Sequence, residues 1–523
     1  MIIFRHQADY QSYVVRGHEM GLNTPGKPMR IRRLHPTLFL MPVLVLITAA
    51  SLPAAAITAD SPKDERFPVT TSSRAAARYF ENGMVNYENH RWNFALRDWH
   101  EALEQDPNFA MAYTWICFTT TDPAEESKDR AAAKGLMNSV TPAEQLAIKW
   151  MAGVHENNYI QGIQAMNDLA QMFPNDKRLN FLIGYWLYKQ DEYEHSRMFT
   201  LRALAEDQKY ATAYNQLGYL YSRAREYDKA IDAMEKYVKL LPNEPNPHDS
   251  YGEMLRLSGR FDDALAQYHI ALKIDPTFYI SQKELGETYA LMGQGERARA
   301  EYARAIHEAP GNGLKAEYMQ KAAMTWLREQ KFDEADKAYD EAAQSAHDMG
   351  QWVWEARAHR IKAMYQHDHA IAMAELDRAE AILVEKSDAV AKSDLDEERA
   401  RILRVRVEQA IAANDLAGAK KTLAQLEQMG VSGSISIQRT YAGADGTLLL
   451  AHKKYRDAVG ELEQDFVNPM SMKLLVTAYQ KAGDKAKAEE CRKRLLDFKI
   501  PMVEEALTVF AYRAQQQGVV AKK

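Results

Sequence analysis

An all-α solenoid of about twelve stacked helical hairpins, with no sheet, is the fold that this chain of 523 residues predicts. Three observations carry that prediction. Glycine recurs every 34 residues at Gly184, Gly218, Gly252 and Gly286. Ala230, Ala264 and Ala298 follow their glycines by 12 residues, and Pro242, Pro276 and Pro310 follow by 24. Between these marks, apolar and aromatic residues fall at i, i+3, i+4 and i+7 in two successive runs, the pattern of two amphipathic helices. Self-similarity at such a period is the mark of a repeat architecture, in which no single hairpin can bury its apolar face alone.

Each phase has a physical reason. In the unit NQLGYLYSRAREYDKAIDAMEKYVKLLP, Tyr214, Leu217 and Tyr221 share one face of the first helix, and Ala230, Met234 and Tyr237 share one face of the second. Gly218 and Ala230 are small where the two helices must approach closely. Ala203, Ala271 and Ala305 recur at another phase, small where a helix meets the next unit. Proline at 242, 276 and 310 stops the second helix and stiffens the turn that follows.

Read in chain order, residues 1–28 show no periodicity and form a doubtful extension, with Met29 the better start. Residues 29–56, MRIRRLHPTLFLMPVLVLITAASLPAAA, combine three arginines, an apolar run from Leu38 to Ala50 and a small-residue site at Ala54–Ala56. This is the pattern of a secretory signal peptide. The alternative is an uncleaved anchor over 38–57, the chain's one expected membrane contact. Either way the body is expected outside the cytoplasm, periplasmic or secreted. Residues 57–74 read as a polar linker, 75–312 as the regular array, 313–500 as divergent hairpins of the same kind, and 501–523 as a capping helix and tail. Residues 110–142 begin with a recognisable helix, AMAYTWICF, and then break register.

Composition narrows the function. Without residues 1–56, the chain carries 60 basic and 70 acidic side chains. An acidic body argues against general nucleic-acid binding, which needs a basic face. Cys117 and Cys491 are too few and too far apart for a disulfide framework and read as buried small apolar residues. His367-Asp368-His369 puts its histidines on different sides of a helix and reads as a turn rather than a metal site. Gly293-Gln294-Gly295 lacks a third glycine and a preceding strand, so it reads as an inter-helix turn. No catalytic constellation, metal site or cofactor requirement emerges, and the chain reads as not an enzyme.

The pattern resembles the tetratricopeptide repeat, most closely over 177–312, and PNEPNPHDSYGEML (242–255) resembles exported bacterial members. The resemblance implies that the first helix of each unit lines a concave groove through its second, fifth, ninth and twelfth residues. Here these are Arg178, Phe181, Tyr185 and Tyr188; Thr212, Asn215, Tyr219 and Ser222; Asn246, Asp249, Glu253 and Arg256; and Ile280, Lys283, Glu287 and Ala290. The family's clamp for a C-terminal carboxylate uses lysine, arginine and asparagine, whereas this chain has Phe181, Tyr185, Asn215 and Tyr219 there. The expectation is a scaffold of the cell envelope that binds a protein or peptide in this groove, with Tyr and Arg as anchors. The alternative is a regulatory solenoid that senses a small envelope ligand such as a glycan fragment.

Overall fold

A computed structural model describes residues 66–516 apart from 121, 122, 157, 191, 310, 391 and 431–433. The described residues form twenty-five α-helices and no strand. The first twenty-four pair as twelve hairpins. The first six are α1 (Arg74–Glu88) with α2 (Trp92–Gln105), α3 (Ala110–Thr119) with α4 (Pro123–Gly135), α5 (Pro142–His155) with α6 (Tyr159–Met172), α7 (Lys177–Lys189) with α8 (Tyr193–Glu206), α9 (Ala211–Arg223) with α10 (Tyr227–Leu240), and α11 (Pro245–Ser258) with α12 (Phe261–Ile274). The others are α13 (Tyr279–Leu291) with α14 (Gly295–Glu308), α15 (Asn312–Arg328) with α16 (Phe332–Asp348), α17 (Trp352–Tyr365) with α18 (His369–Glu385), α19 (Lys392–Ala412) with α20 (Leu416–Gly430), α21 (Ile435–Ala451) with α22 (Tyr455–Leu462), and α23 (Pro469–Ala482) with α24 (Lys485–Leu496). A last helix, α25, spans Val503–Gln516.

Four of the repeat glycines are sockets for one large side chain each, whereas Gly184 meets Thr200, Ser196 and Gln216. Gly252 lies against Tyr268, sixteen residues on, and a methyl group at 252 would sit 2.6 Å from the tyrosine ring. Gly83, Gly218 and Gly286 face Trp99, Met234 and Tyr302 in the same relation. These four large side chains are fully buried, as are Ala203, Ala230, Ala264, Ala271, Ala298 and Ala305. Close packing at a glycine therefore sets the distance between the two helices of a hairpin. Pro242 and Pro276 lie just beyond the ends of α10 and α12; Pro310 lies outside the described residues.

The turn inside many hairpins needs a left-handed residue. Gly259, Gly293 and Gly483 supply it by lacking a Cβ, but His90, Arg225, Gln330, Asn414 and Lys453 adopt φ of 57–61° in the same place. Asp368 accepts from the Ala370 and Ile371 amides and opens α18, as expected for a turn. Cys117 and Cys491 are free and buried, and burial pushes both thiols up.

Two expectations need correction. Residues 66–73 of the linker are not a free spacer. The Phe67 amide donates to Asp176 at 2.7 Å, Thr70 donates to Glu144, and Thr71 and Ser72 donate to Asp106, so the segment lies along the array. Helix α25 does not simply cap the last hairpin. It packs on α23 and also on α15, from a hairpin far earlier in the chain. The extension, the signal segment and residues 57–65 lie outside the described residues. No helix among the described residues is long and apolar enough to cross a membrane.

Candidate functional site

The expected groove residues come together around two adjoining, partly open cavities, each walled in part by distant pieces of chain. The physical reason is that two distant pieces of chain fold onto the first helices of the array. One is the turn between α1 and α2. Thr212 donates to the Glu88 carbonyl at 2.7 Å, Asn215 bonds His90 at 3.0 Å, and Arg91 pairs with Glu244. The other is the segment 497–501 after α24. Arg225 pairs with Asp497 at 2.7 Å, and Arg256 donates to the Lys499 carbonyl at 3.2 Å.

The first cavity is aromatic. Phe181, Tyr185, Tyr188, Asn215, Tyr219, Asp249 and Glu253 all line it, joined by His90, Trp92 and Lys189. Phe181 stacks on Tyr185 with ring centroids 6.1 Å apart, and His90 meets Tyr185 edge-on. Burial, with Lys189 nearby, lowers His90 to about 4, so it is a neutral ring that can accept from Asn215. Burial also lowers Lys189 to about 8, and its ammonium lies 5.2 Å over the Tyr185 ring. The Asn215 side-chain oxygen is buried with no hydrogen-bond partner among the described residues.

The second cavity adjoins the first and shares Tyr188, Tyr219, Glu253, Lys283 and Glu284 with it. It is charged. Arg256 lies 3.1 Å from Glu284 and 3.6 Å from Glu287, and Lys321 reaches Glu287 at 2.8 Å. Tyr219 donates to Glu253 at 2.9 Å, and Ser281 donates to Asp249 at 2.6 Å. Burial and the nearby Glu284 carboxylate hold Asp249 and Glu253 well above the usual carboxylate range. Phe498, Lys499, Ile500 and Pro501 form one wall.

Arg178 does not join the site. Glu81 takes its guanidinium through two bonds of 2.8 Å, and Glu88 takes its Nε. The residues missed in the sequence are His90, Trp92, Lys189, Glu284 and 497–501. His90 and 497–501 lie far along the chain from the helices they meet, and no periodicity links them to the groove positions.

These features define the class: the described residues form a tetratricopeptide-type helical repeat array with aromatic and charged inner cavities. No family model matches the chain. It is 26% identical over 183 residues to the human protein O-mannosyl-transferase TMTC1, covering 34% of this chain and 21% of that protein. The mouse protein of the same name is 26% identical over 168 residues, covering 31% of this chain and 18% of the relative. The chain thus spans about a fifth of the length of the curated relatives it matches. The expectation that the chain is not an enzyme is corrected by this finding, since both relatives are named as transferases. Solved structures similar to parts of the chain include MamA, at 18% identity and a TM-score of 0.28 over 32% of this chain and 97% of that one. YrrB, described as a TPR protein with an unusual peptide-binding site, is 20% identical with a TM-score of 0.27 over 40% of this chain and 96% of that one. PilW, a type IV pilus biogenesis factor, is 17% identical with a TM-score of 0.30 over 50% of this chain and 96% of that one. Superpositions this loose say nothing further about function.

Proposed function

We propose that this protein is an interaction scaffold of the cell envelope that holds an extended segment of a partner protein in its inner cavities. One observation carries the reading: a non-helical segment of the chain's own, residues 498–501, forms one wall of the charged cavity and is bound there through its main chain. Phe498, Ile500 and Pro501 supply apolar contact, and Arg256 binds a main-chain carbonyl, which fixes the segment without reading its sequence. The aromatic cavity next to it offers the same chemistry without such a segment of its own. Tyr185 and Tyr219 present broad rings with polar edges, and Asn215 offers a free buried acceptor to a main-chain amide. The pattern of residues 29–56 supports an address outside the cytoplasm.

Site-specific photocrosslinking in intact cells tests this. A benzophenone side chain at position 219, inside the cavity, is expected to trap an extended segment of another polypeptide, and one at the exposed Asp228 on α10 is not. Equal trapping at both positions, or none at 219, refutes the reading.

A further inference from the structure

The irregular second hairpin carries a cluster that the repeat pattern does not explain. His100 on α2 faces Glu125 and Asp129 on α4, one helical turn apart. One ligand atom from each of the three lies within 4.8 Å of the others, and His100 Nε2 is 2.8 Å from Glu125 Oε1. A four-coordinate zinc with bonds of about 2.0–2.1 Å keeps its ligands about 3.3 Å apart, so only small side-chain shifts separate this arrangement from a coordination shell.

Burial distinguishes the cluster from an ordinary surface pair. Asp129 is only 3% exposed, yet its carboxylate has no hydrogen-bond or ion-pair partner among the described residues. Its ligand atom is directed at the other two. Glu125 is already oriented, because Thr120 donates from just before α4 to its second oxygen. His100 is exposed, which leaves the remaining coordination positions open to water.

We propose that His100, Glu125 and Asp129 bind a divalent transition-metal ion, with zinc the best match to one imidazole and two carboxylates. The bound ion would neutralise Asp129 and clamp the second helices of the first two hairpins together. The sequence reading missed it because His100 is 25 residues from Glu125 and belongs to a different unit.

Zinc titration of the full chain, stripped with chelator, tests the proposal by calorimetry and thermal melting. One equivalent should bind and raise the melting temperature. Asp129→Asn and His100→Ala should each weaken binding by more than about tenfold and abolish the thermal shift. Glu125→Gln, at a less buried position, provides a third variant should either of these fail to fold. Cobalt in place of zinc should give visible absorption that changes in the same variants. Absence of zinc binding up to millimolar concentration, or binding that all folded variants retain unchanged, overturns the proposal.

Discussion

Glu505→Gln tests how the C-terminal helix is held in place. Arg328 on α15 donates to Glu505 on α25 at 2.5 and 3.0 Å, and both side chains are almost wholly buried. Removing one partner of such a pair costs about 3–5 kcal/mol, because the remaining charge stays buried without compensation. Glutamine keeps the shape and one acceptor, so the lower figure applies. About 3 kcal/mol corresponds to roughly a hundredfold greater population of the undocked helix. The loss should stay local, since α25 is the last described element and opens without unstacking a hairpin. Hydrogen exchange should accelerate by that factor over 503–516 and along 497–501, while α9 to α14 keep their protection. Replacing the pair together, Arg328→Met with Glu505→Leu, should restore protection, because apolar side chains can substitute for a buried ion pair. If Glu505→Gln exchanges like the parent protein, the pair does not hold the helix and the reasoning fails.

Two further outcomes follow from the core. Burial alone would raise Glu398, but Arg360, Arg357 and Arg401 together hold it at about 2. A carboxylate with a lowered folded pKa adds stability above its unfolded value near 4.3 and loses it as pH falls toward the folded one. Thermal melts between about pH 5 and 2 should therefore show a loss of stability that Glu398→Gln makes shallower, starting from a lower value at pH 7, while Glu287 and Glu375, also held at about 2, keep their share of it. Glycine substitutions should split by socket. Gly252→Ala forces a methyl group against the Tyr268 ring and should cost about 1–3 kcal/mol in urea unfolding. Gly460→Ala, in α22 with open space around it, should stabilise by up to about 1 kcal/mol.

The groove positions were legible because helix geometry is local. A residue at a given phase of a 34-residue unit points the same way in every copy, so the groove phases that the tetratricopeptide resemblance implies could be carried onto Phe181, Tyr185, Tyr188, Asn215, Tyr219, Asp249 and Glu253. Arg178 shares that phase, yet Glu81 and Glu88 from the first helix occupy it. Those partners are 97 and 90 residues away, and nothing in the repeat announces them.

The sequence by itself determined the helices, the hairpins and their stacking, because small residues in fixed phase allow only close, repeated packing. Whether the inner face would be open was decided by the tertiary structure. The end of α1 meets α9 and the segment 497–501 meets α11, across 124 and 243 residues of chain. Contacts across such distances have no signature in any single unit, so the walls they add around the groove residues could not be read from the repeat.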